Sequence, residues 1–292
     1  MLLKDYLPSR GLEEYIKCYR IVHFNFDKNE TPPSKPYTPR PENCLAFYPL
    51  DTERIEYADS NKTVKDLPIA LIGQHLGVTQ RFIGHEFLVV QVIFQAGALY
   101  RLTGMPLYEL TNEYIAADNV FSKDIQFVNE RLHHAQNYEE MVRIVNRFAT
   151  DLVKKVVKDH QPIDAVCQLL LKQEAALSID KLARASCLSL KQFERKFKER
   201  TGVNPKVFSR LIRFDNAFRT RNAQPQTDWL TIAFDCHYYD YQHLVRDYKD
   251  FTGMSPNAFH ALDSPEAIFG MSEQFYQTET VLFHDLTTNK SI

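Results

Sequence analysis

The chain has 292 residues, 44% hydrophobic and 25% charged, which is the balance of a soluble globular protein with room for two domains of ordinary size. Its net charge of -2 excludes a polyanion-binding surface spread over the whole molecule. The five cysteines (Cys18, Cys44, Cys167, Cys187, Cys236) include no C-x-x-C pair, which argues against a disulfide framework or a zinc site and for a reducing compartment.

The amino terminus lacks the apolar core of a signal peptide. The longest nearly apolar run, 87–94, is too short to cross a bilayer and is broken by Gln91, so a cytoplasmic location with no membrane partner is expected. Strand signals fill the first 95 residues. From Cys18 to Phe26 the chain alternates, with Tyr19, Ile21, His23 and Asn25 on one side and Arg20, Val22, Phe24 and Phe26 on the other. Neither side is cleanly polar, so both are expected to be partly covered. Residues 29–42 hold five prolines and read as loop. Segments 43–50, 54–57, 67–76 and 82–94 complete five or six strands of a small curled sheet or barrel, with the β-branched run 87–94 at its centre.

Character changes at Gln95. Residues 96–102 predict a short helix ended by Thr103-Gly104, and 106–110 another; 120–135 and 138–159 predict longer ones. In the last, Met141, Val145, Phe148, Leu152 and Val156 form one apolar face, which either packs on its own sheet or makes a dimer seam. His160-Gln-Pro162 stops that helix, because proline lacks the amide donor and disfavours helix in the residue before it. The domain boundary is placed there. A helix over 162–176 follows, with Ile163, Val166, Leu169 and Leu170 inward.

The stretch 178–259 repeats. Thr201-Gly202 and Thr252-Gly253, Pro205 and Pro256, and Lys198 and Lys249 are each 51 residues apart. Ala183 to Ala233 and Cys187 to His237 are 50 apart, so the second turn is one residue longer. Each unit reads as helix, turn, helix. In the first, Ser178 caps a short helix, 183–188 is the turn, and Ser189 caps a second helix that sends Leu190, Phe193 and Phe197 to the core. Lys191, Gln192, Glu194, Arg195, Lys196 and Lys198 stay outside, and Glu194 either meets a base or pairs with Lys191 or Lys198. A long helix from Pro205 to about Arg221 buries Phe208, Leu211, Ile212, Phe214, Ala217 and Phe218. The second unit opens at Asp228, turns through 236–239, is capped by Asp240, and buries Leu244 and Tyr248. Charge is unequal: 178–221 holds 12 Lys/Arg against 4 Asp/Glu, and 222–260 holds 2 against 5. The first unit therefore carries the electrostatic footprint for phosphates.

The ordered set Leu182-Ala183, Phe193-x-x-x-Phe197, Thr201-Gly202-x-x-Pro205, Arg213-x-x-x-Ala217, Ile232-Ala233, Tyr238-Tyr239-Asp240 and Phe251-Thr-Gly-Met-Ser-Pro256 resembles the AraC/XylS family of bacterial transcription regulators over about residues 165–260. The resemblance implies an all-helical reader whose two recognition helices enter successive major grooves. Position by position it implies base contacts by Lys191, Glu194 and Arg195 in the first unit and by Tyr241, Gln242, Val245 and Arg246 in the second, with Gln192 and Lys198 on phosphate or sugar. The chemistry agrees: Arg195 can pair with guanine, Gln242 with adenine, and Glu194 can accept from cytosine, each good pair giving about 1–3 kcal/mol of discrimination. Members usually place glycine in each turn, where Cys187 and His237 stand here at a cost of about 1 kcal/mol in a left-handed backbone.

Before residue 160 the likeness is thinner. Gln95-Ala-Gly-Ala, Leu102-x-Gly104 and Leu107-x-x-Leu110-Thr-Asn112 resemble the amino-terminal domain of some AraC-like regulators, a β-rich, partly cupin-like unit followed by helices. No clustered His-x-His marks a metal site, and nucleophile elbows, P-loops and dinucleotide fingerprints are missing. The expectation is an α+β chain: residues 1–160 as a β-rich sensing or dimerisation domain ending in helices, 161–260 as an all-α reader of two helix-turn-helix units joined by a long helix, and 261–292 as a tail. The function expected is sequence-specific reading of duplex operator DNA under control of a small-molecule effector or dimerisation, without enzymatic activity, cofactor or metal. RNA polymerase and a second copy are further candidate partners. The competing reading is a small-molecule-binding or enzymatic barrel with a degenerate helical module.

Overall fold

The computed structural model describes residues 2–172, 178–263 and 279–281. The chain opens with β1 (Leu2–Tyr6) and β2 (Ile16–Asn25), followed by β3 (Lys35–Tyr37), β4 (Cys44–Phe47), β5 (Glu53–Tyr57), β6 (Thr63–Val64), β7 (Ile69–Ile72), β8 (Thr79–Ile83) and β9 (Glu86–Phe94). Then come α1 (Ala98–Thr103), a 3-10 turn (Leu107–Leu110), β10 (Tyr114–Ala116), α2 (Ile125–His133) and α3 (Tyr138–Val153). One sheet runs β10-β7-β4-β9-β2-β1 and is extended by β11 (Glu279–Val281), which pairs parallel with β1; the other runs β3-β8-β5-β6.

The large sheet is covered on both faces, as the two-sided pattern of its strands requires. Along β9, Leu88, Val90, Val92 and Phe94 join the core under α1 and α3, while Phe87, Val89 and Ile93 face the smaller sheet. Along β2 the same alternation sends Tyr19 and Ile21 one way and Cys18 and Phe24 the other. The face of α3 belongs to this core: Met141 and Val145 are buried, and Phe148 meets Phe47 edge-on at 5.9 Å. Of the two readings of that face, packing on its own sheet is the one observed.

Several boundaries differ from the sequence reading. The segment 82–94 is two strands, broken at Gly84, where a Cβ would lie 2.2 Å from the Asp51 carboxylate that accepts from the Glu86 amide. The proline-rich segment 29–42 contains β3, which tolerates Pro36 because it is an edge strand with no ladder bond to lose on its outer side. Five or six strands were expected, but the short edge pieces β6, β10 and β11 and the terminal β1 raise the number. The helix α2 starts at Ile125 rather than 120, because the amides of Val120 and Phe121 turn back to the Ala117 carbonyl. The helix α3 stops at Val153 rather than 159, because the amides of Val157 and Lys158 both donate to the Arg101 carbonyl of α1.

The helical part comprises α4 (Pro162–Lys172), α5 (Ile179–Ala185), α6 (Leu190–Thr201), α7 (Pro205–Ala223), α8 (Trp229–Asp235), α9 (Tyr241–Thr252) and α10 (Pro256–Asp263). Residues 173–176 of the helix expected over 162–176 lie outside the described residues. On α4 the inward stripe is Ile163, Val166, Cys167 and Leu170; Leu169, expected inward, is 37% exposed because Cys167 holds that place. Two cores result, strung on one helix. Phe208 and Ile212 of α7 pack with α4, α5 and α6, and Leu211, Phe214, Ala217 and Phe218 pack with α8, α9 and α10.

Candidate nucleic-acid interface

The two units superimpose in kind along the chain: α5 and α8 are offset by 50 residues, α6 and α9 by 51, with the extra residue in the second turn, where Tyr239 is 86% exposed. Both reading helices start on a side-chain cap. Ser189 accepts from the Gln192 amide while Gln192 returns its carbonyl to the Ser189 amide, and Asp240 accepts from the His243 amide. Both end on a left-handed glycine, Gly202 or Gly253, that closes the last turn. Both turns force a side chain into the same left-handed region, Cys187 at φ 54° and His237 at φ 59°. Glycine at either position relieves that strain and loses some of the gain to chain entropy. Cys187→Gly and His237→Gly are therefore each expected to stabilise the fold by about 0.5–1 kcal/mol, read from urea midpoints; a destabilisation would contradict it.

On α6 the side chains of Lys191, Gln192, Glu194, Arg195 and Lys198 are exposed, and Phe193, Phe197, Arg200 and Thr201 face inward. Leu190 is a correction: expected in the core, it is 45% exposed, because the buried stripe runs 193, 197, 200, 201 and the first helical position falls outside it. The turn is also shorter than expected, since α5 runs to Ala185, and Ser178 makes no side-chain cap bond. Arg195 is held by Glu199 one turn on, at 2.6 Å, and Glu194 has no ion pair to Lys191 or Lys198 among the described residues. Gln192 spends its carbonyl oxygen on the cap. On α9, Gln242 and Arg246 are exposed, whereas Tyr241 and Val245 are half-buried.

The aspartates of the second unit are largely structural. Asp228 and Asp240 cap helices, and the amides and hydroxyl or imidazole they accept from hold their carboxyls below the usual range. Asp247 is buried, which pushes its carboxyl up, and Arg210 and Arg213 of α7 both reach it. Arg210 also binds Asp250. These ties fix α9 on α7, so Arg210 and Arg213 serve the frame rather than an open surface.

The first unit is anchored to the amino-terminal elements. The Thr111 hydroxyl donates to the Gly202 carbonyl at 2.9 Å, and the Lys198 ammonium lies 5.7 Å from the Tyr108 ring centre. The Arg200 guanidinium sits 4.7 Å over Tyr100 of α1 and pairs with Asp164 of α4 at 2.6 Å. Sequence reading did not single out Arg200. The signal was present, since 193, 197 and 200 lie on one helical stripe.

A family model described as a helix-turn-helix domain matches residues 182–261, the span of both units. Residues 182–261 are an AraC-type helix-turn-helix domain. The chain carrying it is a DNA-binding regulator of transcription. A second model, for a domain of unknown function (DUF6597), matches residues 4–116. No curated protein matches the chain. Among solved structures, ToxT from Vibrio cholerae O395 is 12% identical over 82% of this chain and 95% of its own, with a TM-score of 0.43. Unsaturated fatty acid bound wild-type ToxT from Vibrio cholerae strain SCE256 is 10% identical over 87% and 97%, with a TM-score of 0.44. The AraC-like transcriptional activator CuxR is 16% identical over 69% and 78%, with a TM-score of 0.28. No helix among the described residues is long and apolar enough to cross a membrane.

Proposed function

We propose that residues 161–260 read duplex operator DNA through α6 and α9, that residues 1–160 control the reading in response to a small molecule, and that 261–292 is a tail. The observation that carries this reading is the outer face of α6, where Lys191, Glu194, Arg195 and Lys198 stand exposed on a helix whose other side is fixed to the core it shares with α4, α5 and the start of α7 and to α1. A helix so held offers its early side chains to base edges at little ordering cost. Arg195 and Lys191 read or approach guanine, Glu194 accepts from cytosine, and Gln242 and Arg246 act in the second groove. Tyr241 and Val245 contribute apolar contact from half-buried positions. Gln192 and Lys198 serve the sugar-phosphate chain.

The controlling element acts without catalysis in this reading, and RNA polymerase or a second copy of the chain would meet surfaces outside the α3 face, which the sheet already occupies. The test is a titration of the full chain with its own upstream duplex and with random duplex over a salt series. Equal affinity for the two at moderate salt would sink the proposal. Arg195→Ala is expected to weaken operator binding by about 1–3 kcal/mol and to do so more than Arg246→Ala. Comparable losses at one salt concentration would refute the asymmetry between the units.

A further inference from the structure

The two reading units hang from one helix. Phe208 and Ile212 of α7 belong to the core of the first, and Leu211, Phe214, Ala217 and Phe218 to the core of the second. No apolar residue of α5 or α6 enters the second core, and none of α8 or α9 enters the first. Among the described residues one apolar side chain packs against both cores, and it comes from the amino-terminal part: Leu76, half-buried in the segment 73–78 between β7 and β8. Two residues on, Val78 meets the second core alone.

Leu76 stands on a rigid support. Its amide donates to the Asn112 side chain at 2.8 Å, the Asn112 amide donates to the Gln74 carbonyl at 2.9 Å, and the Gly73 amide donates to the Glu113 carbonyl at 3.0 Å. These bonds tie the segment 73–78 to the segment 111–113. Asn112 holds a left-handed backbone at φ 60°, which is costly for a residue with a side chain and persists only where the surroundings over-determine it. The same support grips the end of α6. The Thr111 hydroxyl donates to the Gly202 carbonyl, and a Cβ at Gly202 would lie 3.1 Å from the Leu107 carbonyl oxygen and 3.4 Å from the Gln74 Cβ. The first unit is therefore fixed to the support through α6, and the second meets it at Leu76 and Val78.

We propose that Leu76 is a positioning residue that keys the two reading units to one separation, so that the amino-terminal part sets which spacing of two DNA elements the chain accepts. The consequence for DNA rests on the reading of α6 and α9 given above; the keying itself does not. With 19 residues α7 is about 28 Å long, close to the ~34 Å that separates successive major-groove faces of a duplex. Because α9 is tied to α7 through Arg210 and Asp247, the freedom left to the second unit is flexing of α7 along its length. A side chain set against both cores opposes that flexing, and its rigid support makes the opposition directional.

The experiment has two arms, both on the full chain. Cys187 in the first turn is exposed and the other four cysteines are buried, so spin labels on Cys187 and on Tyr239→Cys in the exposed second turn report the separation of the units by pulsed electron paramagnetic resonance. One narrow distance is expected with Leu76 in place. Leu76→Ala is expected to broaden it, and Leu76→Met, of nearly equal volume, to keep it narrow. In the second arm the unlabelled chain is titrated with the duplex it selects from a random-sequence library. The same duplex with one base pair inserted between its two contacted elements, a shift of about 3.4 Å and a rotation of about 34°, is titrated beside it. The insertion is expected to weaken wild-type binding roughly 10-fold and Leu76→Ala binding at most about 3-fold, with both chains within about 2-fold on a duplex carrying the first element alone. A distance that stays narrow in Leu76→Ala overturns the keying. A loss in Leu76→Ala that is equal on all three duplexes overturns the link from Leu76 to spacing, as does a selected duplex with one element only. A wild type that selects no sequence, with the distance still broadened in Leu76→Ala, overturns the operator reading while the keying stands.

Discussion

Asp164→Ala is expected to remove about 3–5 kcal/mol of folding free energy, a loss set by the charge it strands rather than by the bond it breaks. Arg200 is 2% exposed, and its side chain lies between α4 and α1. Its Nε donates to Asp164 at 2.6 Å, one terminal nitrogen to the Gln161 side chain at 3.1 Å and the other to the Lys196 carbonyl at 3.2 Å. Asp164 is 1% exposed and accepts a second bond, from the Gln161 amide at 2.8 Å. Without the carboxylate, a permanently charged guanidinium stays in the interior with neutral partners only. The double variant Asp164→Leu/Arg200→Met carries no buried charge and is expected to recover most of the loss. Urea unfolding of the wild type, both single variants and the double variant forms a cycle with a coupling of several kcal/mol. A single-variant loss below about 1 kcal/mol would show that water reaches the pair. Because the same cluster seats α6 against Tyr100 and Gly97, Asp164→Ala is also expected to weaken operator binding at temperatures where the chain is still folded.

What was legible in the sequence was what local chemistry repeats. Whereas the left-handed turns at Cys187 and His237 were legible only through the family resemblance, the α6 and α9 caps and the aromatic stripe Phe193–Phe197 follow from residues within one turn of each other. The long α7 was legible for the same reason, opened by Pro205 and marked by a continuous apolar stripe. Short edge strands were not: β6 has two residues and β3 only three, and the partner of β3 is the distant β8. Helix ends were misjudged where a distant carbonyl captures the chain, as Arg101 does after α3. Leu190 was misplaced because its hydrophobicity was weighed without the geometry of the first helical turn. Nor could a cavity of about 180 Å³ be read, since residues of β2, β9 and the end of α7, far apart in the chain, line it together.

Acidification is expected to destabilise the chain through His75. The ring is 9% exposed, 4.6 Å from the Tyr114 ring centre and 5.7 Å from that of Tyr57. Burial, then the Arg81 guanidinium and the Lys62 ammonium, disfavour the imidazolium, so the group is pushed down to about 3 from its ordinary 6.5. The unfolded chain takes up a proton as pH falls through 6.5, whereas the folded chain takes none until near 3. The stability contributed by the neutral ring is therefore fully present above 6.5 and is lost as pH falls from there toward 3. Within that window the difference approaches one proton, a slope of about 1.4 kcal/mol per pH unit. His75→Asn removes the titrating group, so its stability, from urea unfolding between about pH 7 and pH 4, is expected to fall less steeply than the wild type's by close to that slope. Parallel curves would mean that His75 ionises in the fold as it does in water. The next residue, Leu76, packs against both helical cores, and its amide is held by Asn112, so the protonation that loosens this corner loosens the ground on which both reading units stand. Because the folded ring stays neutral until near pH 3, the operator affinity of the folded chain is expected to run parallel in the wild type and His75→Asn between about pH 7 and pH 5.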